Sequence, residues 1–129
     1  MSEQTNIIIF GATGDLTKRK LIPALYNLYV KDRLPQNFRI IGFARRDWSD
    51  DYLREVSHEG IQEFSAISYD ANHWNDFGQR IFYVRGNLNE REGFENLASF
   101  LGNESANNLY YMATAPRFFT DIAANLHQV

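Results

Sequence analysis

Apolar residues run without a break from Ile7 to Phe10, and the stretch closes on Gly11. A run that does not alternate with polar residues reads as a strand buried on both faces, here Asn6 to Phe10. Between Asp15 and Asp32 the spacing changes: Leu21, Leu25 and Leu28, flanked by Ile22, Tyr26 and Tyr29, recur at helical intervals. Pro23 lies inside that helix and removes a backbone donor, so it predicts a kink unless the first turn is a separate piece. Phe38 to Ala44 repeats the buried-strand pattern, and Asp50 to Phe64 a helical one. Residues 65–77 fit either helix or loop. Ile81 to Val84 reads as a third strand, Glu90 to Leu101 as a helix and Leu109 to Ala113 as a fourth strand. Pro116 suits the first turn of a last helix running towards Leu126.

Strands separated by helices call for parallel pairing through right-handed crossovers, with helices on both faces of the sheet. The expected fold is α/β, a doubly wound Rossmann-like parallel sheet in the order 3-2-1-4. Six strands make the complete arrangement, so four leave one flank uncovered. An uncovered fourth-strand edge is in turn expected to make the chain self-associate.

Composition narrows the class. A length of 129 residues with 44% apolar and 22% charged side chains suits one globular domain, read as residues 1–129, with no repeat or linker inside it. A net charge of −3 argues against a nucleic-acid or anionic-membrane partner. The absence of cysteine excludes disulfides, thiolate metal sites and thiol nucleophiles. The run from Ile7 to Ala12 is too short to span a bilayer and lacks the basic flank of a signal peptide, so a cytoplasmic protein without membrane contact is expected.

The densest chemical signal is Gly11-Ala12-Thr13-Gly14-Asp15-Leu16-Thr17, set between the first strand and the first helix. Gly11 lets the chain turn at the strand end, and Gly14 lets backbone approach a pyrophosphate with no side chain intervening. The helix start offers unpaired N–H groups to that anion. Thr17 stands where such fingerprints want a small residue, and two residues rather than one separate the glycines. Lys18, Arg19 and Lys20 follow, where cations oppose the helix dipole by roughly 0.3 to 1 kcal/mol each. A bound polyanion, solvent or pairing with Asp15 would compensate. Solvation is the first reading for Lys18 and Arg19, whereas Lys20 is a candidate to point across the strand ends.

Other strand ends add to the picture. An NAD-specific domain places an acidic residue after its second strand, but this chain has Arg45-Arg46. A guanidinium there would hold a 2′-phosphate through charge-assisted bonds of roughly 1.5 to 3 kcal/mol, favouring NADP over NAD. Arg45 is the first candidate and Arg46 the second, while Asp47 leaves NAD open. After the third strand, Asn87 would bond the adenine and Leu88 cover it; equally, the segment is a polar turn with Asn89 capping the next helix. Small residues between Tyr110 and Pro116 leave room for diphosphate and nicotinamide ribose. His58, His73 and His127 lack a ligand partner at helical spacing, so no zinc site is expected. There is no Gly-x-Ser-x-Gly elbow and no Gly-Lys-Ser/Thr loop.

The segment from Ile7 to Leu25 resembles the amino-terminal coenzyme motif of glucose-6-phosphate dehydrogenases. The Asp-Leu after Gly14, the basic triplet and the helix proline carry the likeness, together with Ile41-Gly42-Phe43-Ala44-Arg45 and the region from Leu109 to Phe119. The resemblance implies coenzyme-phosphate contacts from Gly11, Ala12, Thr13, Gly14, Asp15, Leu16, Thr17 and Lys18. It implies a 2′-phosphate contact from Arg45, with Tyr111 and Ala113 near the nicotinamide half and Lys20 leaning towards the sugar substrate. It also implies a homo-oligomeric parent enzyme that oxidises glucose 6-phosphate to its lactone. Thr17 departs from the family's usual alanine. No position matches the family's Glu-Lys-Pro-Phe-Gly segment or its catalytic His-Asp pair, so the chain is expected to be a coenzyme-binding portion, inactive alone. Two rivals remain at this stage: a free-standing NADP-binding sensor, and a short-chain reductase or epimerase. The latter uses a Tyr-x-x-x-Lys pair, and none of the seven tyrosines has lysine at that spacing.

Overall fold

The computed structural model describes residues 4–65, 69–102, 106–114 and 118–128, with residues 127 and 128 described through their backbone alone. Four strands, β1 (Gln4–Phe10), β2 (Phe38–Ala44), β3 (Ile81–Arg85) and β4 (Ala106–Met112), form one sheet in the order β3-β2-β1-β4. Every pairing is parallel. The helices are α1 (Ile22–Val30), α2 (Asp50–Phe64), α3 (Ala71–Gln79), α4 (Arg91–Leu101) and α5 (Phe119–Gln128). The expected doubly wound order is therefore present, and β2 and α2 keep the bounds read from the sequence. β1 and β4 begin earlier, β4 ends one residue sooner, and β3 extends to Arg85.

Over β1 and β2 both faces of the sheet are covered, which explains the unbroken apolar runs. Ile7, Ile9 and Ile40 pack with Leu25, Tyr26, Leu53, Ile61 and Phe77 from α1, α2 and α3. Ile8, Phe10, Ile41 and Phe43 pack on the opposite face against Phe94, Leu97 and Ile122 from α4 and α5. Asn6 is buried in β1 and satisfied across the sheet: its amide donates to Asn108 Oδ1 at 2.9 Å and its Oδ1 accepts from Arg39 Nε at 2.6 Å.

Pro23 does not break the first helix. Residues Thr17–Leu21 form a π turn leading into α1, and the Ile22 N–H donates to the Thr17 carbonyl five residues back. The widened turn lies where a proline ring in a regular helix would press on the carbonyl four residues earlier. At the other end the helix stops at Val30 rather than Asp32, which takes a positive φ of 57° beyond the C-cap.

Of the undecided residues 65–77, 66–68 lie outside the described residues, while those from Ala71 to Phe77 form part of α3. Asp70 caps it by accepting from the N–H groups of Asn72 at 2.8 Å and His73 at 3.3 Å. Phe77, fully buried, meets the Tyr26 ring edge-on at 5.4 Å. The reading of Asn89 as a cap is corrected: Glu90 stands at the N-cap of α4 without a side-chain cap bond. The expected start of the last helix at Pro116 lies outside the described residues.

The two sheet edges differ. At β3, the first turn of α2 closes the edge: Asp50 Oδ1 accepts from the Tyr83 N–H at 2.6 Å and Arg54 Nε donates to the Ile81 carbonyl at 2.8 Å. At β4, Leu109, Tyr110, Tyr111 and Met112 are all exposed, with Leu109 at 49%. No helix among the described residues is long and apolar enough to cross a membrane.

Candidate functional site

All four strands point their carboxyl ends to one side, and a cleft of about 550 Å³ opens there. It is lined from β1 by Gly11 and Thr13, from β2 by Ala44 and Arg45, and from β3 by Gly86, Asn87 and Leu88. Asn89, Glu90, Thr114 and Phe118 complete its wall. In open parallel sheets ligands settle in such a crevice because chain segments diverge to opposite faces there.

The turn after β1 is tightly held. Gly11 has φ +81°, and a β carbon on it would stand 2.5 Å from the Ala113 carbonyl oxygen. Its N–H donates to the Phe43 carbonyl at 2.9 Å, while the Ala113 N–H donates to the Phe10 carbonyl at 2.9 Å, continuing the ladders beyond the strand ends. The Gly14 N–H then donates back to Gly11 O at 3.1 Å. Helical geometry begins at Asp15, directly after Gly14, which has no side chain with which to cap the helix. Its first amides therefore open beside the cleft as donors for an anion.

Of the residues selected from the sequence, Gly11, Thr13, Arg45, Asn87 and Leu88 meet in the cleft wall. Gly14, Asp15 and Leu16 are exposed at the helix start, while Ala12 and Thr17 are buried beneath it. The Thr17 hydroxyl donates to Gly11 O at 3.5 Å, so this residue packs the helix onto the turn. Ala113 lies half-buried behind Gly11. Tyr111, two residues earlier on β4, is exposed and does not line the cleft. Lys20 is exposed and also outside the cleft wall.

Two members of the basic triplet, Lys18 and Arg19, meet side chains of α2 rather than Asp15. Lys18 Nζ pairs with Glu59 Oε2 at 3.4 Å, and the Arg19 guanidinium lies over the Phe64 ring at 5.2 Å. Both contacts lie at the surface, and Arg19 is exposed, in keeping with the first reading of the two as solvated. His58 stacks on Trp74 at 4.5 Å and contacts the Tyr69 hydroxyl at 2.7 Å, whereas His73 meets Tyr29 edge-on. Among the described residues no group of three or more potential metal ligands gathers.

Sequence reasoning missed several side chains. Glu90 accepts from Asn87 Nδ2 at 2.9 Å and so orients the asparagine. The Tyr83 hydroxyl reaches the carbonyl oxygens of Ala44 at 3.0 Å and Arg46 at 2.6 Å. Burial pushes that phenol up to about 12, which keeps its proton in place as a donor. Arg85 donates from Nε to the Arg45 carbonyl at 3.0 Å and pairs with Asp47 at 3.6 Å. The available signal was the two-residue spacing of Tyr83 and Arg85, which puts both on one face of β3.

The residues fit a nucleotide diphosphate, with an open helix start, a side-chain-free Gly14 beside it and a guanidinium at the far wall. Comparison with known proteins agrees. Residues 8–129 match the family model described as glucose-6-phosphate dehydrogenase, NAD binding domain. The glucose-6-phosphate 1-dehydrogenase of Chlamydia muridarum is 45% identical over 95% of this chain, and that of Streptococcus pneumoniae 36% over 98%. The chain spans about a quarter of the length of these relatives, 25% and 26% respectively. A crystal structure of the Mycobacterium avium glucose-6-phosphate 1-dehydrogenase superposes with a TM-score of 0.87 at 29% identity, covering 99% of this chain and 27% of that one. A glucose-6-phosphate dehydrogenase solved in complex with glucose 6-phosphate gives 0.79 at 31% identity, covering 99% and 28%. Motifs, sheet order and relatives converge: the chain belongs to the glucose-6-phosphate dehydrogenase family, matching its NAD-binding domain over residues 8–129.

Proposed function

We propose that the cleft holds NADP in preference to NAD, for an enzyme that oxidises glucose 6-phosphate at its anomeric carbon to the lactone. The observation that carries this reading is the meeting of Gly11, Thr13, Arg45, Asn87 and Leu88, drawn from three separate strand ends, in one cleft beside an open helix start. When bound, the coenzyme supplies the hydride acceptor. The protein's part is to bind and orient it.

In this reading Gly11 to Thr17 present backbone donors to the diphosphate, with Lys18 adding positive charge nearby. Arg45 takes the 2′-phosphate. Asp47, the residue that would favour NAD, is paired with Arg85, which supports NADP. Asn87, oriented by Glu90, addresses the adenine edge and Leu88 its face. Ala113 leaves room for the nicotinamide half, with Tyr111 nearby, and Lys20 faces the sugar phosphate. Oxidation also needs a base to take the hydroxyl proton. No residue of this chain matches the family's catalytic histidine, so the chain binds coenzyme without turning over sugar phosphate by itself.

Titration with NADP and NAD, followed by an assay with glucose 6-phosphate, tests both halves. Saturable NADP binding tighter than NAD, without turnover, is expected. Failure of both dinucleotides to bind a folded sample at roughly millimolar concentration contradicts the binding assignment. Turnover approaching roughly 1 to 1,000 per second contradicts the placement of catalysis elsewhere.

A further inference from the structure

Three successive carbonyls follow the end of β2, and side chains of β3 hold all three. The Tyr83 hydroxyl lies within hydrogen-bonding distance of the outer two, Ala44 O at 3.0 Å and Arg46 O at 2.6 Å. Arg85 Nε donates to the middle one, Arg45 O, at 3.0 Å. The Gly86 N–H adds a bond to Ala44 O at 2.8 Å. Strand register makes this possible, since Ala44 lies directly opposite Arg85. The segment bearing Arg45 and Asp47 is thus set by β3, while the side chain of Arg45 itself stays exposed at the cleft wall.

The second contact of Arg85 is with a carboxylate that opposes the proposed specificity. Its guanidinium stands 3.6 Å from Asp47 Oδ1, and both side chains stay exposed, Arg85 at 61% and Asp47 at 87%. A free carboxylate two residues after Arg45 would repel a 2′-phosphate and accept a bond from the 2′-hydroxyl of NAD. One guanidinium therefore contacts both the backbone of Arg45 and the acidic residue two positions later.

We infer that Arg85 is a specificity-determining positioning residue, which favours NADP by holding the Asp47 carboxylate away from the ribose. This rests on the reading of the cleft as an NADP site. It makes a prediction that a purely structural role would not, because the effect must pass through Asp47.

The experiment measures Kd for NADP and NAD in the wild-type chain, Arg85→Gln, Asp47→Asn, the double variant and Arg85→Lys, with thermal unfolding followed on the same samples. Arg85→Gln is expected to lower the NADP-to-NAD preference roughly three- to tenfold, the scale of a lost exposed charge contact beside a phosphate. Adding Asp47→Asn should return the preference to within about twofold of wild type, and Arg85→Lys should retain most of it. An unchanged preference in Arg85→Gln overturns the inference. So does a double variant that stays as impaired as Arg85→Gln, since the loss would then not pass through Asp47. Either result leaves the NADP assignment standing if the wild type prefers NADP. A wild type that binds neither dinucleotide, or prefers NAD, overturns that assignment and this inference together.

Discussion

Gly11 faces the backbone of Ala113 so closely that a β carbon on the glycine would stand 2.5 Å from the alanine's carbonyl oxygen. The contact joins the turn after β1 to the chain leaving β4, and Gly11 also holds a φ of +81° that side chains disfavour. Sterics and backbone conformation thus demand the same residue. Gly11→Ala should destabilise the domain by about 1 to 3 kcal/mol and weaken dinucleotide binding together with it. Urea unfolding with an unchanged midpoint would show that the turn adjusts freely.

Arg45 makes no side-chain bond among the interactions described above, and its guanidinium stands at the cleft wall. Arg45→Ala should therefore lower NADP affinity by roughly tenfold to a hundredfold, from the loss of charge-assisted bonds of about 1.5 to 3 kcal/mol. NAD affinity should change little. Isothermal titration of both coenzymes distinguishes this from a general loss of binding, which would lower the two in parallel.

Tyr29 and Tyr83 each hold their protons up to about 12, chiefly because burial disfavours the phenolate. Tyr29 also donates to Asp76 Oδ2 at 2.5 Å. A folded pKa above the unfolded value near 10 means that these groups contribute stability fully below pH 10. The contribution is lost as pH rises from about 10 through about 12. Stability followed by denaturant unfolding should fall across that window. Replacing both tyrosines by phenylalanine should flatten the fall, and an equally steep fall in that variant would locate the sensitivity elsewhere.

The edge of β4 presents Leu109 to Met112 without a charged residue to discourage another strand. Unpaired backbone beside exposed apolar side chains is a template for strand addition. The isolated chain should self-associate with rising concentration in sedimentation velocity, and Leu109→Lys should reduce this at little cost in stability. A wild-type chain that stays monomeric throughout would refute the edge as a contact surface.

Much of the fold was legible because its signals are local. Unbroken apolar runs in β1 and β2 follow from burial on both faces, and the glycine-rich turn lies between a strand and a helix that can each be recognised alone. Pro23 marked the position of an irregularity, but its form as a π turn depends on how the helix packs. Residues 65–77 were ambiguous because Asp70 is a cap only once Phe77 has a Tyr26 to bury against. The site divides the same way. Arg45, Asn87 and Leu88 were found because strand ends are visible in sequence, whereas Tyr111 was selected from β4 and stands outside the cleft.

Taken alone, the order of amino acids determined four parallel strands, their succession around β1 and the place where a phosphate-binding turn would form. These follow from side-chain periodicity and glycine geometry, which act over a few residues. Tertiary structure decided which charges are neutralised and by whom. Glu59 reaches Lys18 from 41 residues away, and Arg85 finds Asp47 because strand register sets Ala44 against Arg85. Pairings of that kind have no local signature, since they exist only after the sheet has brought distant segments within reach.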